Sequence, residues 1–198
     1  MMKRLVDVLV SAILLVVTVP LMLVAAIAVR RSSPGPVIFR QQRVGRGGKS
    51  FNILKFRTMG PATATDREIT VGNDRRITPI GAVLRKWKID ELPQLINVLR
   101  GDMSLVGPRP DVPSYVARYP EDLRAKVLSV RPGITDLASI KYRNENELLA
   151  AQSDPDRYYL EIIMLDKLRM GASYAERPSV GQDLRIIVAT VRSVLMDR

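Results

Sequence analysis

Two adjacent carboxylates, Asp90 and Glu91, follow a basic stretch that holds Arg85, Lys86 and Lys88. The side chains of neighbouring residues leave the start of a helix in different directions. One carboxylate can therefore face a reacting centre while the other binds a cation or handles a proton. This acidic pair is the first candidate for chemistry in the chain.

The chain contains neither histidine nor cysteine. Imidazole bases, thiolate nucleophiles and the usual zinc ligands are therefore excluded, and carboxylates, lysines, tyrosines and serines remain to carry any chemistry. A metal in such a site is expected to be a hard ion bound through oxygen, with Mg²⁺ as the first choice.

Asp90 also has a purely structural interpretation. It precedes a helix predicted over residues 92–99, so its side chain fits an N-cap, and Glu91 fits an ordinary first-turn acid. The structural and catalytic interpretations are compatible, because a helix N-terminus favours negative charge and keeps a carboxylate ionised. An ionised aspartate is a competent nucleophile toward phosphorus.

Several basic residues are candidates for phosphate binding. Arg109 has a proline on each side, which fixes its backbone, and Arg131 precedes a Pro-Gly turn; Arg143 follows downstream. Lys55 and Arg57 close a predicted strand. Singly, each fits a rigid surface turn or attraction to anionic headgroups, but several beside an acidic pair predict a diphosphate and metal site.

The composition limits the classes of partner. The 198 residues fit one domain with an appended element, and 31 Lys and Arg against 20 Asp and Glu give a charge of +11, which favours phosphate-bearing partners. Aromatic residues are 5% of the chain and no nucleic-acid-binding motif is present, so nucleic acid is not expected. Charge alone leaves open a non-catalytic basic protein that binds anionic lipid or nucleic acid at a membrane surface.

An uncharged segment of 22 residues, Val8 to Val29, predicts a membrane helix. A helix of that length is about 33 Å long, enough to cross a bilayer, and it exceeds the apolar run of a secretory signal. Pro20 and the equal charges at the two ends leave two topologies, a kinked spanning helix and a re-entrant one. The residues alone favour the spanning helix, which is the commoner kind.

The rest of the chain predicts an α/β (α+β) domain that is mostly helical and rests on the bilayer surface through amphipathic helices. Short strands are expected at residues 37–40 and 51–56, around a glycine-rich turn, and residues 60–79 form a polar loop or lid. Helices are expected at residues 80–87, 92–99, 158–170 and 184–196.

Five motifs together resemble one known family, the bacterial sugar transferases called monotopic phosphoglycosyl transferases. The motifs are Lys55–Met59, Asp90–Leu95, Gly101–Ser104, Gly107–Pro110 and Arg131–Thr135. Their order and spacing make the resemblance specific, and with the N-terminal segment it covers almost the whole chain.

The resemblance implies a reaction and a topology. Members transfer a phosphosugar from a UDP-sugar to undecaprenyl phosphate, release UMP, and so begin the assembly of O-antigen, capsule, exopolysaccharide or glycoprotein glycans. Residues 1–31 would be a re-entrant membrane helix broken at Pro20. Residues 32–198 would be the catalytic domain on the cytoplasmic face of the bacterial inner membrane, against anionic phospholipid.

The resemblance also implies residue roles. Asp90 would take the phosphosugar covalently in a ping-pong cycle, with Glu91 assisting at Mg²⁺ or at the acceptor. Lys55, Arg85, Arg109 and Arg143 would match family positions that neutralise phosphates, and Asp183 would match a family acid near the C-terminus in the substrate site. The residues themselves add Arg57 and Arg131 as candidates for phosphate binding. The chain departs from the family at Asp136, where many members have glycine, and at Lys141-Tyr142-Arg143, where they have Asn-Gly-Arg, which puts sugar preference in doubt.

Overall fold

The computed structural model describes residues 2–60, 71–72 and 74–196. The described chain is mostly helical with two short two-stranded sheets, which confirms the α+β expectation. The strands are β1 (Ile38–Val44), β2 (Ser50–Phe56), β3 (Ser104–Val106) and β4 (Gly133–Thr135). The helices are α1 (Met2–Ser32), α2 (Pro79–Lys86), α3 (Gln94–Arg100), α4 (Pro113–Val116), α5 (Glu121–Val127), α6 (Leu137–Lys141), α7 (Glu145–Ala150), α8 (Pro155–Tyr158), α9 (Met164–Glu176) and α10 (Val180–Met196).

Helix α1 is long and apolar enough to cross a membrane, and no other helix among the described residues is. Helix α1 continues through Pro20 and is not interrupted at that residue. The Thr18 hydroxyl donates to the Leu14 carbonyl at 2.7 Å. The carbonyl that loses its partner to Pro20 is that of Val16, so Thr18 does not compensate for the proline.

Both ends of α1 contact the domain that follows. Near its start, Lys3 Nζ donates to Asp183 Oδ2 at 2.5 Å and Arg4 Nη1 donates to the Val98 carbonyl at 2.7 Å. Beyond its end, Arg57 Nη2 donates to the Ser33 carbonyl at 2.6 Å. Between these ends Asp7, Ser11 and Ala25 are buried, and most of residues 12–24 are exposed and apolar, which leaves them available to lipid.

The predicted basic hairpin is confirmed. Strands β1 and β2 pair antiparallel from Ile38 opposite Phe56 to Val44 opposite Ser50, so β1 runs four residues further than expected. The turn between them uses Gly47 and Gly48 at positive φ, a conformation that glycine adopts without steric cost.

Strands β3 and β4 were not predicted, because the segments around them read as turns. They pair in parallel, with Ser104 opposite Gly133 and Val106 opposite Thr135. All three β3 residues are buried, so this small sheet lies inside the domain and not at its surface.

The four predicted helices are confirmed, with shifts at their ends. The α2 helix starts at Pro79, and α3 begins two residues later than expected and ends at Gly101, which caps it with φ 93°. The segment opened by Asp154 continues through α8, a π-helical turn at Tyr159–Ile163 and α9. Of the predicted loop at residues 60–79, residues 61–70 and 73 lie outside the described residues.

Candidate active site

The acidic pair lies in a single 3₁₀ turn, Ile89–Glu91, between α2 and α3. Both carboxylates are buried, with Asp90 6% and Glu91 7% exposed. Lys88 occupies the cap position of this turn and Pro93 that of α3, with no side-chain cap at either, so the N-cap interpretation of Asp90 is wrong. Asp90 Oδ1 is buried and has no hydrogen-bond partner among the described residues.

Glu91 is held by two cations at one oxygen. Lys55 Nζ lies 3.0 Å and Arg109 Nη2 lies 2.6 Å from Glu91 Oε1. The exposed fraction of the Glu91 side chain is 8%, against 35% for Arg109. The guanidinium therefore faces both the buried acid and the solvent, from which a ligand would approach.

Asn97 fixes Lys55 beside the acids. Lys55 lies on β2, and the fully buried Asn97 of α3 joins the two elements: its Oδ1 accepts the Leu54 N–H at 3.0 Å and its Nδ2 donates to the Asn52 carbonyl at 2.9 Å. These bonds satisfy backbone groups of β2 that do not bond to β1. They also fix the position of Lys55 relative to the turn that carries the acids.

The β3–β4 sheet positions Arg109. The Gly107 N–H donates to the Thr135 carbonyl and the Gly133 N–H donates to the Pro108 carbonyl, both at 3.1 Å. The Arg109 N–H itself donates to Asp136 Oδ2 at 3.2 Å. Since Asp136 also caps α6, the proline-flanked turn is tied to two elements at once.

Arg85 and Lys88 complete the basic surroundings. Arg85 Nε donates to Thr58 Oγ1 at 2.9 Å, and its Nη2 lies 3.0 Å from Met59 Sδ. The charges of Arg85 and Lys88 both lower the pKa of Asp90, against larger opposing effects. Thus four cations surround two carboxylates.

The pKa values of the two acids are shifted in opposite directions. Burial, and then the charge of Glu91, raise the pKa of Asp90. Burial alone would also raise the pKa of Glu91, but the charges of Arg109 and Lys55 outweigh it and hold that pKa well below its usual range. Burial and the neighbouring anion therefore work against the ionised form of Asp90, while the charges of Lys55, Lys88 and Arg85 favour it.

Burial also lowers the pKa of Lys55 to about 8, despite the neighbouring Glu91. For Arg109 the charge of Glu91 outweighs burial, so the pKa of the guanidinium is raised. Of the two cations that pair with Glu91, Arg109 therefore stays charged while Lys55 titrates near pH 8.

The structure brings together four of the predicted phosphate-binding and acidic residues around Asp90, namely Glu91, Lys55, Arg85 and Arg109. It places the other four elsewhere. Arg57 bonds to Ser33, Arg131 Nε donates to the Gly101 carbonyl at 2.8 Å, Arg143 Nη1 donates to Ser193 Oγ at 2.9 Å, and Asp183 accepts from Lys3 and Tyr174.

Sequence reasoning missed the two residues that hold the site in shape. Asn97 carries no signal in the sequence, since an asparagine inside a helix is ordinary. Asp136 was noted only as a departure from the family pattern. The sequence signal for Asp136 was its position directly after Arg131–Thr135, the segment that forms β4 and pairs with β3, which leads into the Arg109 turn.

The residues present are compatible with Mg²⁺ bound jointly with a diphosphate. Among the residues described, no group of three or more acidic side chains could hold a metal. Mg²⁺ usually takes one or two carboxylates together with substrate phosphates and water. The unpartnered Asp90 Oδ1 is the oxygen that fits such an ion best.

Comparison with known proteins identifies the family. The bacterial sugar transferase family matches residues 1–197. A Caulobacter vibrioides relative named UDP-glucose:undecaprenyl-phosphate glucose-1-phosphate transferase is 41% identical over 98% of this chain and 69% of its own length. An Aeromonas hydrophila relative named UDP-N-acetylgalactosamine-undecaprenyl-phosphate N-acetylgalactosaminephosphotransferase is 36% identical over 98% of this chain and 43% of its own.

A third relative, the exopolysaccharide production protein ExoY of Rhizobium meliloti, is 34% identical over 100% of this chain and 87% of its own length. The chain thus spans most of some curated relatives and less than half of others. The match over residues 1–197, together with the buried acid pair and its cations, shows that the chain belongs to the bacterial sugar transferase family.

Proposed function

We propose that this protein transfers a phosphosugar from a UDP-sugar to undecaprenyl phosphate, and that Asp90 carries the phosphosugar between the two half-reactions. The observation that carries the proposal is the environment of Asp90. Its Oδ1 is buried and, in the described part of the chain, has no hydrogen-bond partner, whereas the adjacent Glu91 is already engaged by Lys55 and Arg109. The names of the relatives support the donor and acceptor classes.

In the first half-reaction an Asp90 oxygen attacks the phosphorus that bears the sugar. The new bond joins that oxygen to phosphorus, the bond to the bridging oxygen of the diphosphate breaks, and UMP leaves with the electron pair. In the second, an oxygen of undecaprenyl phosphate attacks the same phosphorus and restores the Asp90 carboxylate.

The surrounding cations stabilise the charge that this transfer redistributes. One ion pair with Glu91 uses one of three Lys55 donors and one of five Arg109 donors, so both retain N–H groups for phosphate oxygens. Glu91 keeps both cations in place and, because its pKa is lowered, stays ionised throughout. A bound Mg²⁺, held by Asp90 and Glu91 with the diphosphate, would supply further charge neutralisation.

The leaving group tests the reaction. Release of UMP from a UDP-sugar is expected, whereas release of UDP would mean transfer of the sugar alone. Label in the sugar phosphate should attach covalently to the wild type and to Asp122→Asn, a control at an exposed carboxylate in α5, and not to Asp90→Asn. Labelling of Asp90→Asn would overturn the assignment of the nucleophile.

We further propose that α1 is re-entrant and that the catalytic domain lies on the cytoplasmic face of the inner membrane. The helix is continuous through Pro20, so the support lies at its two ends: Lys3 and Arg4 at its start and the Val29 carbonyl in its last turn all bond to residues of the following domain, while most of residues 12–24 are exposed and apolar. Since the chain has no cysteine, single cysteines at Met2 and Arg40 can be labelled from either side of sealed vesicles. Labelling from the same side is expected, and labelling from opposite sides would exclude the re-entrant topology.

A further inference from the structure

Lys88 has an unusual backbone beside the acid pair. Within residues 2–60, 71–72 and 74–196 it is the one residue other than glycine with positive φ, at φ 57° and ψ 18°. A side chain with a Cβ pays a steric cost there that glycine avoids. In this conformation the Lys88 carbonyl accepts the Glu91 N–H at 3.2 Å and closes the turn that carries both acids. Backbone strain of this kind concentrates at functional sites.

The Lys88 ammonium is the uncommitted cation of the site. Lys55 and Arg109 pair with Glu91, and Arg85 bonds to Thr58. The Lys88 side chain is exposed, and in the part of the chain that the structure describes it makes no hydrogen bond or ion pair. Its charge nevertheless acts on both carboxylates, whose pKa values it lowers.

We propose that Lys88 binds the diphosphate of the nucleotide-sugar donor and retains the phosphate of the departing nucleotide, an inference that rests on the proposed function. The four cations outnumber the carboxylates Asp90, Glu91 and Asp136, and this net positive charge favours an anionic diphosphate. An ammonium on a flexible stem can follow a phosphate as it changes from donor to leaving group. Because Lys88 has no partner to give up, its engagement breaks no existing ion pair.

Charge and backbone can be tested separately with the full chain in nanodiscs, using UDP-glucose and undecaprenyl phosphate. Lys88→Gln removes the charge and keeps the strained backbone, and we expect the donor KM and the inhibition constant of UMP to rise about tenfold, as for loss of one charge-assisted hydrogen bond. Lys88→Arg keeps the charge and should stay within about twofold of wild type. Lys86→Gln, a neighbouring exposed lysine in α2, is the matched control and should leave both constants unchanged.

Lys88→Gly separates binding from folding. Glycine adopts φ 57° without steric cost, so the melting temperature should stay the same or rise while the donor KM rises as in Lys88→Gln. If Lys88 only supported the structure, the donor KM would rise only in a variant whose melting temperature fell. Wild-type constants in both Lys88→Gln and Lys88→Gly would overturn the inference.

The binding of UDP itself makes the test independent of turnover. Calorimetry with UDP should give about tenfold weaker binding to Lys88→Gln than to wild type or Lys86→Gln. If the wild type releases no UMP, the proposed function fails, and the UDP comparison still decides whether Lys88 binds a diphosphate. Equal UDP affinity in all three proteins would contradict the role of Lys88 in either case.

Discussion

Asp90 and Glu91 are consecutive buried carboxylates whose pKa values are shifted in opposite directions. The difference arises from their partners: Glu91 Oε1 contacts two cations, whereas Asp90 Oδ1 has no hydrogen-bond donor within the residues that the structure describes. A carboxylate held by two cations is a poor nucleophile but can hold those cations in position. A carboxylate oxygen without a hydrogen-bond donor is the better nucleophile. The structure thus separates two residues that look equivalent in sequence.

The Lys55 ammonium should set a basic limit on activity. Burial lowers the pKa of Lys55 to about 8, so the charge that it offers to phosphate is present below that pH and is lost as pH rises through it. We expect kcat/KM to fall above about pH 8. Lys55→Arg, whose guanidinium stays protonated, should move this limb of the pH profile to higher pH. An identical limb in both proteins would assign the titration to another group.

Replacement of Glu91 by glutamine should destabilise the fold as well as the reaction. Lys55 and Arg109 would lose their shared anion, and removal of one partner from a buried ion pair typically costs about 3–5 kcal/mol. The lower end, about 3 kcal/mol, applies because 35% of the Arg109 side chain is exposed. Denaturant unfolding measures the loss. Lys126→Gln, which breaks an exposed pair with Glu176, is the control and should leave the free energy of unfolding close to the wild-type value.

Asp136→Ala should weaken activity through Arg109. The change removes the acceptor of the Ser139 N–H, a lost helix cap that costs about 1 kcal/mol. It also leaves the partly buried Arg109 N–H without this acceptor, at a further cost of about 1 kcal/mol. We expect kcat/KM to fall about tenfold or more, as for loss of a positioned charged contact. Asp154→Ala removes a comparable cap from α8, away from the acids, and should cost about 1 kcal/mol with unchanged kinetics. Equal kinetics in the two variants would show that Asp136 serves stability alone.

Local sequence signals predicted the elements but not the contacts between them. Apolar spacing located α2, and Gly101 marked the end of α3. Strands β3 and β4 escaped because three residues are too few to show a period and because parallel pairing joins segments about thirty residues apart.

The same limit applies to the site. The sequence shows the acid pair as two carboxylates directly after a basic stretch, and it shows Arg109 as a basic residue between two prolines. The engagement of both Lys55 and Arg109 by one Glu91 oxygen depends on β2, α3 and the β3–β4 sheet meeting in space. Arg131 shows the converse, since a similar local pattern places it on the Gly101 carbonyl instead of beside the acids.

Two glycine substitutions test whether the β3–β4 sheet positions the site. A Cβ on Gly133 would lie 2.1 Å from the Gly107 nitrogen and 2.5 Å from its carbonyl oxygen, backbone atoms that cannot rotate away. Gly133→Ala should therefore push β3 and β4 apart, cost about 2 kcal/mol or more, and displace Arg109 from Glu91. Gly181→Ala is the matched control, because a Cβ there meets no atom within 4 Å and alanine favours helix α10 by up to about 1 kcal/mol. Melting temperature and UMP release should both fall in Gly133→Ala and hold or rise in Gly181→Ala. Normal UMP release by a folded Gly133→Ala protein would mean that Arg109 reaches Glu91 without help from this sheet.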